Sequence, residues 1–148
     1  MAGAVDCREV MTKELVVCFP SDSVARAAEL MAKHHVGALL VIDSEETRRL
    51  QGIVTDRDLV LRVVAHGHDP RSMSVGHVMT RTVLTCAPEQ DIGEAIDLMA
   101  DRQVRRLAVV EDGRLAGIIA QADIANRSFD RERTMRMLQE ISQPEPKR

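Results

Sequence analysis

The sequence predicts an α+β fold in which two β-α-β-β-α repeats pack through their sheets as one pseudo-two-fold module. Shifting the chain by 68 residues aligns identical residues at twelve of the 33 positions from Val10 to Ile42, whereas about two are expected from average amino-acid usage. Both copies show the apolar periodicities of strands and helices in the same order. Each copy has only about 60 residues, close to the lower limit for a stable core, so we expect the two to pack together.

Each repeat is predicted to begin with a short helix, capped by Asp6 in the first copy and by Ser74 in the second. A brief strand follows and ends at a proline, which cannot continue a ladder. Two apolar strands and a final short helix complete the repeat. Between the first and second strands, a longer helix carries apolar residues at i, i+3, i+4 and i+7: Val24, Ala27, Ala28 and Met31 in one copy, and Ile92, Ala95, Ile96 and Met99 in the other.

These elements predict the organisation of the chain. The first repeat covers residues 6–66, a polar connector residues 67–73, and the second repeat residues 74–128. Residues 129–142 predict a C-terminal helix with Met135, Leu138 and Ile141 on one side. The last residues, 143–148, are expected to form a disordered tail.

The composition argues against several classes of function. A net charge of −3, a pI of about 5.9 and the absence of Trp and Tyr disfavour a nucleic-acid partner. No apolar run approaches the roughly 20 residues of a membrane helix, and no signal peptide is recognisable, so we expect a cytoplasmic protein without membrane contact. Neither the three cysteines nor the five histidines have the spacing of a designed metal site. No nucleophile paired with a base and no carboxylate pair stands out in the sequence, so it does not predict an enzyme.

Five motifs suggest a family. They are "VMT" followed by "V.C.P" before the first long helix, "HHVGALLVID" and "QVRRLAVVED" at the second strands, and "GIVTDRD" and "GIIAQAD" at the third. Together they resemble a tandem pair of cystathionine β-synthase (CBS) domains, or Bateman module, over most of the chain. The resemblance implies a stand-alone regulatory module that forms a homodimer and acts on an unidentified protein. It also implies an adenosyl ligand (AMP, ADP or ATP, sometimes S-adenosylmethionine or NAD) between the repeats, with no required cofactor.

"GIVTDRD" places Thr55 at a strand end and Asp58 in the first turn of the next helix. A carboxylate can accept hydrogen bonds from both ribose hydroxyls, and a hydroxyl beside a helix N-terminus suits a phosphate. The resemblance assigns phosphate to Thr55 and ribose to Asp58. The same spacing also fits a capping box that only stabilises the helix start, and the two roles can coexist.

The remaining residues of this main site follow from the resemblance. Phosphate contacts are implied for Arg105 and Arg106, which replace Gly37 and Ala38 of the first copy, and Arg57 is a further candidate. Alternatively, the arginine pair is a solvated charged edge. Adenine recognition is implied for the backbone around Leu15 and Val16 and for the apolar side chains of Val36 and Ile53, which also fit a packing role.

The second cleft is predicted to be weak or empty. Asp123 is retained for ribose, but Ala120 supplies no hydroxyl. The residues expected to reach this cleft from the other repeat are Gly37 and Ala38, which carry no charge. We therefore expect one ligand per chain. The alternative is a structural or protein-interaction dimer whose clefts hold no ligand.

Overall fold

A computed structural model describes residues 5–126 and 130–144 and confirms an α+β fold with two three-stranded sheets. The predicted β-α-β-β-α order is present twice. The first repeat contains α1 (Cys7–Val10), β1 (Val17–Cys18), α2 (Val24–His34), β2 (Ala38–Ile42), β3 (Leu50–Thr55) and α3 (Asp56–Leu59), which continues as a π-helical turn (Val60–Val64). The second contains α4 (Val75–Val78), β4 (Thr85–Cys86), α5 (Ile92–Arg102), β5 (Arg106–Glu111), β6 (Arg114–Ala120) and α6 (Gln121–Ala125), followed by α7 (Arg131–Ile141).

The second strand of each repeat lies at the centre of its sheet. β1 runs parallel to β2, with Val17 opposite Leu40, and β3 runs antiparallel to β2, with Ile53 opposite Leu40. β5 likewise lies between β4, to which it is parallel, and β6. The central strands carry unbroken apolar runs, residues 38–42 of β2 and 107–110 of β5, because they are buried: Leu39 and Val41 have no exposed surface.

The long helices of the two repeats begin and end in the same way. Ser23 caps α2 by accepting from the Arg26 N–H at 3.0 Å, and Asp91 caps α5 by accepting from the Gly93 N–H at 3.0 Å. Both helices end in a residue with left-handed backbone, His35 (φ 54°) and Gln103 (φ 53°), although glycine usually takes this position. The two repeats therefore resemble each other in how their long helices begin and end, as well as in the order of their elements.

Contacts group the chain into two compact units, and each unit contains the first helix of the other repeat. One unit combines α1 with β4, α5, β5, most of β6, α6 and α7; the other combines α4 with β1, α2, β2, β3, α3 and the π-helical turn. The Cys7 N–H donates to the Gln90 carbonyl at 2.9 Å, and the Val75 N–H donates to the Asp22 carbonyl at 2.8 Å. The boundaries at 6–66 and 74–128 describe the order of the repeats along the chain. In the packed units, α1 joins the second repeat and α4 joins the first.

Two details of side-chain placement differ from the sequence prediction. On α7, Met137 and Ile141 are buried against α5, while Met135 of the predicted apolar side is exposed. Ala28, predicted to face inward, is also exposed, although its counterpart Ile96 is fully buried. Ala28 is exposed because no helix in the described residues covers α2 as extensively as α7 covers α5. Met135 is exposed because it lies on the opposite side of α7 from Met137, which packs into the core. Phe129 and residues 145–148 of the predicted tail lie outside the described ranges.

All three cysteine thiols are buried. Burial raises the pKa of Cys18 to about 12, and a hydrogen bond with the Cys86 thiol is the main cause that raises the pKa of Cys7. A raised pKa keeps Cys7 and Cys18 protonated at neutral pH, and the thiolate is the nucleophile. The same hydrogen bond lowers the pKa of Cys86, and its thiol is protected by burial instead.

We therefore expect the native chain to show almost no reaction with a chromogenic disulfide reagent at pH 8. Three thiols per chain should react after denaturation in guanidinium chloride. A thiol that reacts within seconds in the native chain would contradict the burial of these side chains.

Candidate functional site

Thr55 and Asp58 form a complete capping box where β3 turns into α3. The Thr55 Oγ1 accepts from the Asp58 N–H at 3.1 Å, and the Thr55 N–H donates to the Asp58 Oδ2 at 3.0 Å. The structural alternative left open by the sequence is thus present. Both side chains keep hydrogen-bonding capacity for a ligand. The Thr55 hydroxyl still has its proton to donate, and a carboxylate has about four lone-pair sites.

An ion pair lies beside the other oxygen of Asp58. The Arg62 Nε lies 3.8 Å from the Asp58 Oδ1, and the Arg62 Nη1 donates to the Val78 carbonyl of α4 at 2.8 Å. The Asp58 side chain is 16% exposed, so part of the carboxylate still meets solvent. Sequence reasoning missed Arg62, although the i, i+4 spacing of aspartate and arginine on a helix was a usable signal.

The equivalent position of the second repeat has only half of this box. The Ala120 N–H donates to the Asp123 Oδ2 at 2.9 Å, as in the first repeat. The methyl group of Ala120 has no oxygen with which to accept from the Asp123 N–H. Asp123 therefore has the geometry of Asp58 without the neighbouring hydroxyl.

Gly37 and Ala38 lie beside the start of α3 in their own repeat. The Gly37 carbonyl accepts from the Asp56 N–H at 2.9 Å, and Ala38 is paired with Thr55 across β2 and β3. A Cβ at Gly37 would lie 3.0 Å from the Asp56 Oδ2, so glycine keeps this approach open. Their predicted role at the Asp123 site stays a prediction.

Arg105 and Arg106 occupy the equivalent place in the second repeat. The Arg105 carbonyl accepts from the Gln121 N–H of α6 at 2.9 Å, which reproduces the contact made by Gly37. The Arg105 side chain is exposed and Arg106, the first residue of β5, is half-buried. Arg57, in α3, is also exposed. Their predicted contacts with phosphate stay predictions.

The predicted adenine-binding residues lie in different surroundings within one unit. Leu15 and Val16 are half-buried just before β1, and Val36 is exposed between α2 and β2. The backbone of Ile53 is fully paired: its N–H donates to the Thr80 carbonyl at 2.9 Å, and its carbonyl accepts from the Thr80 N–H at 2.8 Å. Ile53 can therefore offer a ligand only its half-buried side chain.

Within residues 5–126 and 130–144, no three His, Cys, Asp or Glu side chains are grouped as metal ligands would be. No helix there is both long and apolar enough to cross a membrane.

Comparison with known proteins identifies relatives of this chain. The family model described as CBS domain matches residues 7–65 and again residues 75–130. The CBS domain-containing protein YhcV of Bacillus subtilis is 35% identical over 135 residues, which cover 91% of this chain and 94% of that protein.

Solved structures extend the likeness to three dimensions. The crystal structure of Hypoxic Response Protein I, which holds two coordinated zinc ions, matches with a TM-score of 0.74 at 31% identity, over 83% of this chain and 98% of that one. A CBS domain pair in complex with 5-methylthioadenosine and S-adenosyl-L-methionine matches with a TM-score of 0.71 at 23% identity, over 83% and 94% of the two chains. The second likeness shows the fold alone.

Proposed function

This chain belongs to the CBS domain family, and on that premise we propose that it is a cytoplasmic regulatory module that senses an adenine nucleotide (AMP, ADP, ATP or a related adenosyl compound). The observation that carries the proposal is the pair Thr55 and Asp58. The Asp58 carboxylate accepts a hydrogen bond from the Thr55 N–H, lies beside the Arg62 guanidinium, and is still partly exposed. A carboxylate oriented in advance binds a diol with less loss of side-chain entropy.

The roles in this proposal follow the chemistry of the ligand. Asp58 accepts from the two ribose hydroxyls, and the Thr55 hydroxyl donates to a phosphate oxygen. Phosphate charge is neutralised by three guanidinium groups, which suit phosphate geometry. These are the groups of Arg57, Arg105 and Arg106. Adenine meets the backbone near Leu15 and Val16 and the side chains of Val36 and Ile53.

The second cleft contributes little in this proposal. Asp123 is oriented as Asp58 is, but Ala120 offers no donor to a phosphate. Gly37 and Ala38 add no charge there. One nucleotide per chain is the expected stoichiometry.

A purely structural role is the second candidate, and one observation favours it. Asp58 and Asp123 both accept from the backbone N–H that precedes their helices, so both carboxylates have a use without any ligand. In that case the module acts as a homodimer or an interaction domain with ligand-free clefts. The two candidates differ in whether a nucleotide stabilises the fold.

A thermal-shift screen distinguishes them. We expect one adenosine-containing compound among AMP, ADP, ATP, NAD and S-adenosylmethionine to raise the melting temperature. At 100 times its dissociation constant, a ligand that binds only the native state stabilises it by about 2.7 kcal/mol. A cyclic dinucleotide serves as a chemically related probe. No shift with any compound would reject the sensor in favour of the structural role.

A further inference from the structure

The leading helix α1 is held against the turn that follows β4 by backbone hydrogen bonds. The Cys7 N–H donates to the Gln90 carbonyl, and the Arg8 N–H donates to the Pro88 carbonyl, both at 2.9 Å. Cys86, the last residue of β4, lies two residues before Pro88. The start of α1 is therefore placed beside the end of β4.

The side chains of Cys7 and Cys86 meet inside this contact. Both are buried in the same core cluster, and the Cys7 thiol donates a hydrogen bond to the Cys86 sulfur. Cys18 belongs to the other core cluster, and the chain has no fourth cysteine to pair with it. Cys7 and Cys86 are thus a dithiol, whereas Cys18 is a single thiol.

The core of the first repeat contains the same contact without a dithiol. Val75 is the counterpart of Cys7 at the start of α4, and its N–H donates to the Asp22 carbonyl at 2.8 Å. The Val75 side chain is fully buried in the core that contains Cys18. Since an apolar side chain fills this position in one repeat, packing alone does not require a thiol at the equivalent position in the other.

We propose that Cys7 and Cys86 are a redox site that closes to a disulfide when the chain is exposed to a peroxide, and that the bond fastens α1 to the core of the second repeat. Two thiols that share a hydrogen bond are already neighbours, so bond formation needs little movement. In the cytoplasm proposed for this chain, disulfides are rare, and those that form are usually transient and redox-sensing. The proposal does not depend on nucleotide binding, so the two can succeed or fail separately.

The chemistry balances with hydrogen peroxide as the oxidant. The Cys86 thiol loses its proton and its sulfur attacks one peroxide oxygen; the O–O bond breaks, and the departing hydroxide takes up the proton and leaves as water. The Cys7 sulfur then attacks the resulting sulfenic sulfur, and the Cys7 proton leaves with the displaced hydroxyl as a second water. Two thiols and one peroxide thus give one disulfide and two waters.

Access to this pair depends on local opening of α1. The helix has only four residues, and its ion pairs lie at the surface: Arg8 Nη2 is 2.8 Å from the Glu111 Oε1 and 3.4 Å from the Glu89 Oε1. Exposed pairs of this kind stabilise little, and segments with few buried contacts open more readily than a core. We therefore expect slow oxidation, over minutes to hours, which agrees with the near absence of reaction expected with a chromogenic reagent in the native chain.

Thiol counting on the full chain tests the proposal. After treatment with hydrogen peroxide, removal of the peroxide and denaturation, we expect one reactive thiol per chain instead of three, and dithiothreitol should restore all three. Mass spectrometry of a digest should find the peptides of Cys7 and Cys86 linked, and a non-reducing gel should show single chains. The melting temperature should rise by about 5–10 °C on oxidation, because closing so long a loop restricts the unfolded chain.

Two variants separate the dithiol from the single thiol. Cys7→Val copies the residue at the equivalent position, Val75, so we expect it to fold and to form no disulfide. Cys18→Ala should still lose both of its thiols reversibly. Three thiols that persist in the oxidised chain, a disulfide between two chains, a linkage in Cys7→Val, or a melting temperature that does not rise would each overturn the proposal.

Discussion

Asp58→Asn is expected to weaken binding of the nucleotide found in the thermal-shift screen by about 10- to 100-fold. Hydrogen bonds to a charged group contribute about 1.5–3 kcal/mol, and asparagine keeps only one acceptor oxygen for the ribose diol. That oxygen is also the one that accepts from the Thr55 N–H at the helix start. Asp58 is the N3 residue of the capping box, and an amide oxygen there can still accept from the Thr55 N–H, so stability should change little while affinity falls. Isothermal titration calorimetry measures the affinity and the stoichiometry, expected to be one ligand per chain.

Asp123→Asn is the matched control for this variant. It makes the same chemical change at the equivalent position, where Ala120 replaces Thr55 and the carboxylate has the same backbone contact. We expect the affinity of this variant for the nucleotide to stay within about twofold of that of the unaltered chain, a change smaller than about 0.5 kcal/mol. Equal losses in the two variants, or a stoichiometry of two, would contradict the asymmetry between the sites. Circular dichroism on both variants excludes unfolding as the cause of any loss.

Gly52→Ala is expected to lower the free energy of unfolding by about 2–3 kcal/mol, near the upper end for overpacking a filled site. A Cβ at this position would lie 2.6 Å from the Thr80 carbonyl oxygen. That oxygen already accepts from the Ile53 N–H at 2.9 Å, so the backbone cannot move away without breaking a pairing. Urea denaturation followed by circular dichroism measures the change.

Gly117→Ala offers the comparison within the same chain. Gly117 is the counterpart of Gly52, but a Cβ there would first meet the Met11 side chain, with its sulfur at 2.6 Å. Methionine has three rotatable bonds and adapts to small changes in its surroundings. We expect a loss of about 1 kcal/mol, within the range for a contact that can relax. A larger loss for Gly117→Ala than for Gly52→Ala would refute this reasoning.

Much of the fold could be predicted because the repeat supplied each element twice. The periodicity of Val24 to Met31 is ambiguous by itself, but its recurrence from Ile92 to Met99 identified both helices. The repeat could not predict where the copies differ. Ala28 and Ile96 occupy equivalent positions, but Ala28 is exposed, whereas Ile96 lies where α7 packs on α5 and is buried. What covers a helix face depends on segments distant in the chain, and local patterns carry no information about them.

The candidate site was predictable to a similar extent. Thr55 and Asp58 are close in sequence, so their joint position followed from one strand end and one helix start. The pairing of Ile53 with Thr80 joins residues from different repeats, and it removes the Ile53 backbone from ligand recognition. Arg62 was missed because its importance arises from two contacts at once, one with Asp58 and one with the Val78 carbonyl.

The placement of the leading helices has a consequence for how the chain is made. Cys7 shares its core with Cys86 and Ile119, which are synthesised long after it. The core of the first repeat likewise includes Val75 and Val78, which are synthesised after most of its other residues. Contacts between residues so far apart slow folding, because loop closure must precede them. We therefore expect that neither repeat folds as an autonomous domain. A fragment that encodes one repeat lacks the helix that completes its core, and its own first helix has no core to pack against.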